Sequence, residues 1–198
     1  ANSFCRAVMS NIVYTQEYSS FVTQAVQDVY EKAFAQKRLE WQPTLTCVYN
    51  RISELENEME NSNDKAILHR IYNSLVQYVS GGLYDMFSEN SNVTMDNRFV
   101  VFGLKNVSKD YWEPVMITIM FFLSTRMEYN QSLQKATHFI IDETQVVTDN
   151  ESSADMLLDA VVTYRKFGGI VTLALQNLTR AIQNPNLRDM FSNCGYKV

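Results

Sequence analysis

Apolar residues recur along the first part of the chain at steps of three and four. In "FVTQAVQDVYEKAF", Val22, Ala25, Val26, Val29, Tyr30 and Ala33 fall on one face of a helix. "PTLTCVYNRISELE" places Leu45, Val48, Ile52 and Leu55 likewise. "NDKAILHRIYNSLVQYVSGG" has the cleanest stripe: Ile67, Leu68, Ile71, Tyr72, Leu75, Tyr78 and Val79. Asn63 or Asp64 can cap its start and Gly81 can end it. Glu54, Glu56, Glu58 and Glu60 read as a solvated polar link between helices. Residues 1–88 are therefore expected to form a helical subdomain.

From about residue 97 the period changes. "RFVVFGL" (98–104) is a short run of β-branched and aromatic residues and predicts a strand. A helix over 109–128, a strand over 137–142 and a helix over 153–167 follow, the last capped by Ser152 or Ser153. "GIVTLALQ" (169–176) reads as a third strand. "NPNLRDMF" opens a last helix, with Asn184 as cap and Pro185 at its first position. Strands that are apolar throughout, alternating with helices, imply a parallel sheet covered on both faces. Residues 89–198 are thus expected to be an α/β core. In such sheets the chemistry sits beyond the carboxyl ends of the strands, where Asp142, Glu143 and Gln176 fall.

The stretch "HFIIDETQ" (138–145) ends a buried apolar run on two adjacent acids. Asp142 can hold Mg²⁺ through water, and Glu143 can polarise the water that attacks a γ-phosphate, which is the acidic half of a nucleotide triphosphatase site. The same pattern also arises when acids cap the next helix or simply meet solvent. Gln176 lies beside the acids if strands 137–142 and 169–176 are neighbours, and its amide can sense a γ-phosphate or orient water. Arg165 ends the preceding helix. It can act as an arginine finger across a subunit boundary, or it and Lys166 can serve the helix carboxyl terminus.

Composition narrows the classes. The chain has 198 residues, 46% hydrophobic and 20% charged, which suits one domain or one and a half. A net charge of −5 argues against direct pumping of DNA through a basic surface. Cys5, Cys47 and Cys194 form no CxxC and read as thiols of a reducing compartment. His69 and His138 are isolated, so no metal cluster is expected. The most apolar run, "PVMITIMFFL", has 10 residues where a span needs about 20.

"FVVFGL", "HFIIDETQ", "RKFGGIVTLALQN" and "NPNLRDMFSNCGYKV" together resemble the C-terminal ATPase domain of VirB/TraC-type conjugation ATPases, in the HerA–FtsK clade of P-loop motors. The resemblance covers about residues 81–198. It implies a RecA-like parallel sheet flanked by helices, with residues 1–88 as a helical insertion. It makes Asp142 and Glu143 the Walker B acids, Asp142 binding Mg²⁺ through water. It makes Gln176 a sensor-like glutamine and Arg165 a trans-acting or sheet-edge arginine. ATP and Mg²⁺ are the implied cofactors. A self-associating, hexameric ring and the other components of a conjugation or type IV secretion channel are the implied partners. The implied place is cytoplasmic, peripheral at the inner face of the membrane. Thr144-Gln145 stand where relatives often have Ala-His, and Leu175 stands where Thr is common.

No G-x-x-x-x-G-K-[ST] occurs, because none of the 6 glycines precedes a GK[ST]. The phosphate loop is expected upstream of residue 1, in a parent of which this chain is a fragment. The fragment alone is expected to be inactive. The opening on Ala1 and the strand-like "CGYKV" at the end point the same way. A different HerA–FtsK motor, either a DNA translocase or a coupling protein, remains an alternative. So does a non-enzymatic interaction module that lost its phosphate loop.

Overall fold

The computed structural model describes residues 2–9, 13–35, 42–90, 97–108, 111–148, 151–177, 179 and 183–196. The chain divides into two compact units, Ala1–Phe99 and Val100–Val198.

The first unit is helical. It holds α1 (Asn2–Val8), α2 (Gln16–Ala35), α3 (Leu45–Glu58) and α4 (Ser62–Leu75). The expected stripes supply its core: Val22, Ala25, Val48, Ile52, Leu55, Ile67, Leu68, Ile71 and Leu75 pack together with Cys5 and Met9. Tyr30 departs from its stripe and is 45% exposed, because it lies at the margin of the face that α2 buries. Burial pushes the Cys5 thiol up to about 11, so it stays protonated and unreactive.

The cap of α4 is Asn61, whose side chain accepts from the Asn63 amide, rather than Asn63 or Asp64. After Leu75 the chain tightens into a 3₁₀ turn, Val76–Tyr78, and then reverses through Gly81 at a φ of 84°. Gly82 follows so close to the preceding turn that a Cβ there would lie 2.6 Å from the Gln77 carbonyl oxygen.

Of the acids read as a solvated link, Glu54, Glu56 and Glu58 lie within α3, and only Glu60 stands between α3 and α4. Arg51, its side chain only 14% exposed, meets Asp28 of α2 at 2.7 Å, Glu54 at 3.0 Å and Glu58 at 2.8 Å. Hydrogen bonds from Arg51 first, and then from Lys32, hold the Glu54 carboxyl below its ordinary value of 4.5. That contribution is present above the ordinary carboxylate range and is lost as pH falls through the depressed folded value. Arg51→Ala is expected to cost about 1–3 kcal/mol at pH 7, since three carboxylates lose their shared cation. The cost should shrink at acid pH, as pH falls through the depressed value of Glu54 and that carboxylate protonates. Urea midpoints of the two proteins at pH 7 and pH 3.5 check both statements.

The second unit holds α5 (Trp112–Ser132), β1 (Thr137–Ile141), a short α6 (Thr144–Val147), α7 (Glu151–Thr163), β2 (Gly169–Leu173) and a last helix, Pro185–Asn193. Helix α5 runs past the expected end at 128 and stops where Gln134 turns left-handed at a φ of 56°. Residues 109 and 110, where it was expected to begin, lie outside the described residues. The last helix is capped as expected, the Leu187 amide donating to Asn184 Oδ1 at 3.3 Å. Ser153 is buried inside α7 instead of capping it, and the residues before Glu151 are not among those described. Cys194–Tyr196 form no strand, and residues 197 and 198 lie outside the description.

β1 and β2 pair in parallel, with Phe139 opposite Val171 and Ile141 opposite Leu173. Those four side chains face the core built from α5, α7 and the last helix: Met116, Met120, Met127, Ala154, Leu157, Ala160, Leu187 and Met190, with Met156 against it. The alternate residues His138, Ile140, Ile170 and Thr172 are exposed, Ile140 by 59% and Ile170 by 53%. The sheet is therefore covered on one face among the described residues, not on both. Ile140 and Ile170 are what made the strands read as doubly buried.

Residues 98–104 form no strand and pair with neither β1 nor β2, against expectation. Phe99 is 80% exposed and Val101 is 72% exposed. Phe102 stands edge-on to Phe122 at 5.5 Å, Leu104 packs on the core, and the Trp112 indole donates to the Val107 carbonyl. The segment is held by alternate side chains rather than by a ladder. An apolar run becomes a strand only where a neighbour presents backbone partners in register. Among the described residues, no helix is long and apolar enough to cross a membrane.

Candidate functional site

Parallel pairing of β1 and β2 brings their carboxyl ends side by side. The pairing runs one step past the strands: the Ala174 amide donates to the Ile141 carbonyl at 2.8 Å, and the Thr144 amide to the Ala174 carbonyl at 3.0 Å. Thr144 is wholly buried, and its hydroxyl donates to the same Ile141 carbonyl at 3.2 Å. The two exposed acids between Ile141 and Thr144 are thus held in a turn fastened from below.

That turn is strained. Glu143 has φ 51° and ψ 44°, the left-handed region, which costs a residue with a Cβ about 1–2 kcal/mol. The Glu143 amide donates to Asp142 Oδ1 at 2.9 Å, fixing the first acid against the second. The Gln176 amide nitrogen donates to Glu143 Oε1 at 2.6 Å. The structure therefore brings Asp142, Glu143 and Gln176 together.

It does not bring Arg165 to them. Arg165 lies in the 3₁₀ turn Tyr164–Phe167, which leads through the left-handed Gly168 into the start of β2. It is exposed at the amino end of the strand pair, roughly 16 Å of strand away from the acids. The turn is fastened to α5, the Tyr164 and Ser124 hydroxyls lying 2.9 Å apart and Met127 filling the space beside Gly169. Burial raises the Tyr164 hydroxyl's pKa above its ordinary value, and the Ser124 bond partly offsets this.

Two residues of the turn, marked in the sequence only as departures from the resemblance, have a structural role that the sequence did not show. Thr144 is one. Gln145 is the other: it is 9% exposed, and its Oε1 is buried without a hydrogen-bond partner. An orphaned acceptor of this kind costs about 1–3 kcal/mol. The only signal in the sequence was a pair of polar residues directly after the acids, at the start of a helix too short to show a period.

Among the described residues, no group of three or more His, Cys, Asp or Glu could hold a metal ion. Mg²⁺ does not need such a group, since it uses one or two carboxylates and keeps water and phosphate as its other ligands. Asp142 fits this need: it is exposed, at a strand end, with one carboxylate oxygen on the Glu143 amide. The phosphate-cradling loop has no counterpart in the sequence.

In comparison with known proteins, the family model of the TraG P-loop domain matches residues 9–198. No curated protein and no solved structure matches the chain.

Proposed function

The chain belongs to the TraG P-loop domain family, a conjugation-related P-loop family, and from that premise we propose that it is the acid-bearing part of a RecA-like ATPase motor. The observation that carries this reading is the meeting of Glu143 and Gln176, 2.6 Å apart, at the carboxyl ends of two parallel strands. Asp142 is the residue that would hold Mg²⁺. When bound, that ion and its ATP supply the phosphoryl group and the neutralising charge for its transfer. Glu143 takes the proton of the attacking water, and Gln176 holds its amide toward the terminal phosphate. The phosphate cradle has to come from outside these 198 residues.

The motor works as a ring at the cytoplasmic face of a conjugation or type IV secretion channel, reaching the membrane through other channel components. Arg165 stands at the end of the sheet away from its own acids, so any part it takes in hydrolysis is played in trans; otherwise it serves the carboxyl terminus of the preceding helix.

Two measurements test the reading. The intact protein should hydrolyse ATP in the presence of Mg²⁺, whereas the 198-residue chain alone should show no turnover, since it has neither cradle amides nor the loop lysine. Turnover by the chain alone, lost on Glu143→Gln, would mean that other residues form the cradle. Arg165→Ala in the intact protein should lower turnover at least tenfold. Mixing it with Glu143→Gln subunits should restore part, because the two defects can then fall on different interfaces. A rate within twofold of wild type removes Arg165 from the site.

A further inference from the structure

We propose that Gln176 and Glu143 form a latch that frees the catalytic acid only when a terminal phosphoryl group arrives, a regulation that rests on the site reading above. The bond from the Gln176 amide to Glu143 Oε1, at 2.6 Å, falls with the short, charge-assisted hydrogen bonds. Chemistry fixes the orientation of the amide. A carboxylate only accepts, so the nitrogen must face it and the amide oxygen must point away.

A carboxylate oxygen held in this way is a poorer acceptor for the proton of a water molecule, because the donor already fills that direction. A terminal phosphoryl oxygen is an anionic acceptor of the same kind. When the amide moves from carboxylate to phosphoryl oxygen, Oε1 of Glu143 is released at the moment there is something to hydrolyse. A diphosphate lacks that acceptor and leaves the latch on the acid.

The surroundings permit the exchange. Glu143 and Gln176 are both exposed, so a change of partner requires no repacking of the core. Glu143 is left-handed and Gln145 keeps an unpaired buried oxygen, so the turn between the strands does not satisfy all its groups at once. The latch is one of the bonds that hold it in this arrangement.

A double-mutant cycle on Mg²⁺-dependent nucleotide binding by the intact protein tests the latch. Glu143→Gln replaces the carboxylate with a neutral acceptor and weakens its grip on Gln176. It should raise the preference for a non-hydrolysable ATP analogue over ADP by about threefold to tenfold. Part of that gain is relief of charge repulsion and does not need the amide. In a Gln176→Leu background the gain should therefore shrink by about threefold or more. An equal gain in both backgrounds overturns the latch, because the amide is then not shared between the two acceptors. Turnover keeps the latch and the site apart. If Glu143→Gln leaves ATP hydrolysis within twofold of wild type, the site reading fails and the latch with it. If hydrolysis is lost but the cycle is additive, the latch alone is wrong.

Discussion

Glu143→Gln in the intact protein is expected to lower ATP turnover by at least about a hundredfold while leaving nucleotide binding intact or somewhat tighter. The two adjacent acids have separable tasks. Asp142 holds the metal and so contributes to binding as well as to chemistry. Glu143 meets the water, an interaction that strengthens only as the proton leaves, and removing its charge raises the barrier without weakening the ground state. The substitution also keeps the side chain's size and its ability to accept from Gln176, so the fastened turn should survive. Asp142→Asn should differ by weakening Mg²⁺-dependent nucleotide binding too. Steady-state rates and equilibrium binding, measured on the same preparations, separate the two patterns. Equal loss of binding in both variants would show that the acids act as one metal site.

The largest effect on stability is expected from Leu68→Ala. Leu68 is wholly buried on α4, amid a cluster that includes Val22 of α2 and Ile52 and Leu55 of α3. Truncation removes three carbons from the point where the helices converge. The neighbours lie on different helices, so the site cannot collapse without shifting a whole element. A cost of about 2–5 kcal/mol follows from the lost transfer energy and the cavity. Leu68→Met, which keeps the volume, should cost less than about 1.5 kcal/mol. Chemical denaturation followed by far-ultraviolet circular dichroism, with its strong helical signal, reads the difference. A small loss for Leu68→Ala would mean that α4 is held mainly by its surface contacts.

The helical stripes were legible because burial in this unit follows the three-and-four spacing, as Ile67, Leu68, Ile71 and Leu75 show. The neighbourhood of the acids and Gln176 was legible for a different reason. Two apolar runs one helix apart favour adjacent parallel strands, and adjacency alone places their ends together. The position of Arg165 followed from the same topology, since a residue that precedes β2 must lie at the amino end of the pair. The strand expected at 98–104 failed because apolar, β-branched composition says nothing about whether a backbone neighbour is present. The role of Arg51 was hidden because Asp28, Glu54 and Glu58 converge on it only once α2 packs against α3. No sequence signal marks a glutamate as left-handed; Glu143 is held so by the bonds around it.

The two units are filled with different materials. The helical one is packed mainly with branched aliphatic side chains and alanine, which have few rotamers and fit one arrangement well. The unit that carries the acids places Met116, Met120, Met127 and Met190 at its centre, with Met156 beside them. Thioethers on unbranched stems change rotamer at little cost and fill whatever gap is left. A helix lying on such a filling, as α5 lies on β1 and on the turn before β2, rests on side chains that can re-pack at little cost. An oxidant that turns those thioethers into polar sulfoxides would remove that freedom. Sulfoxide formation at those buried positions would disturb the packing beneath β1 and β2, the layer on which the acid-bearing turn rests.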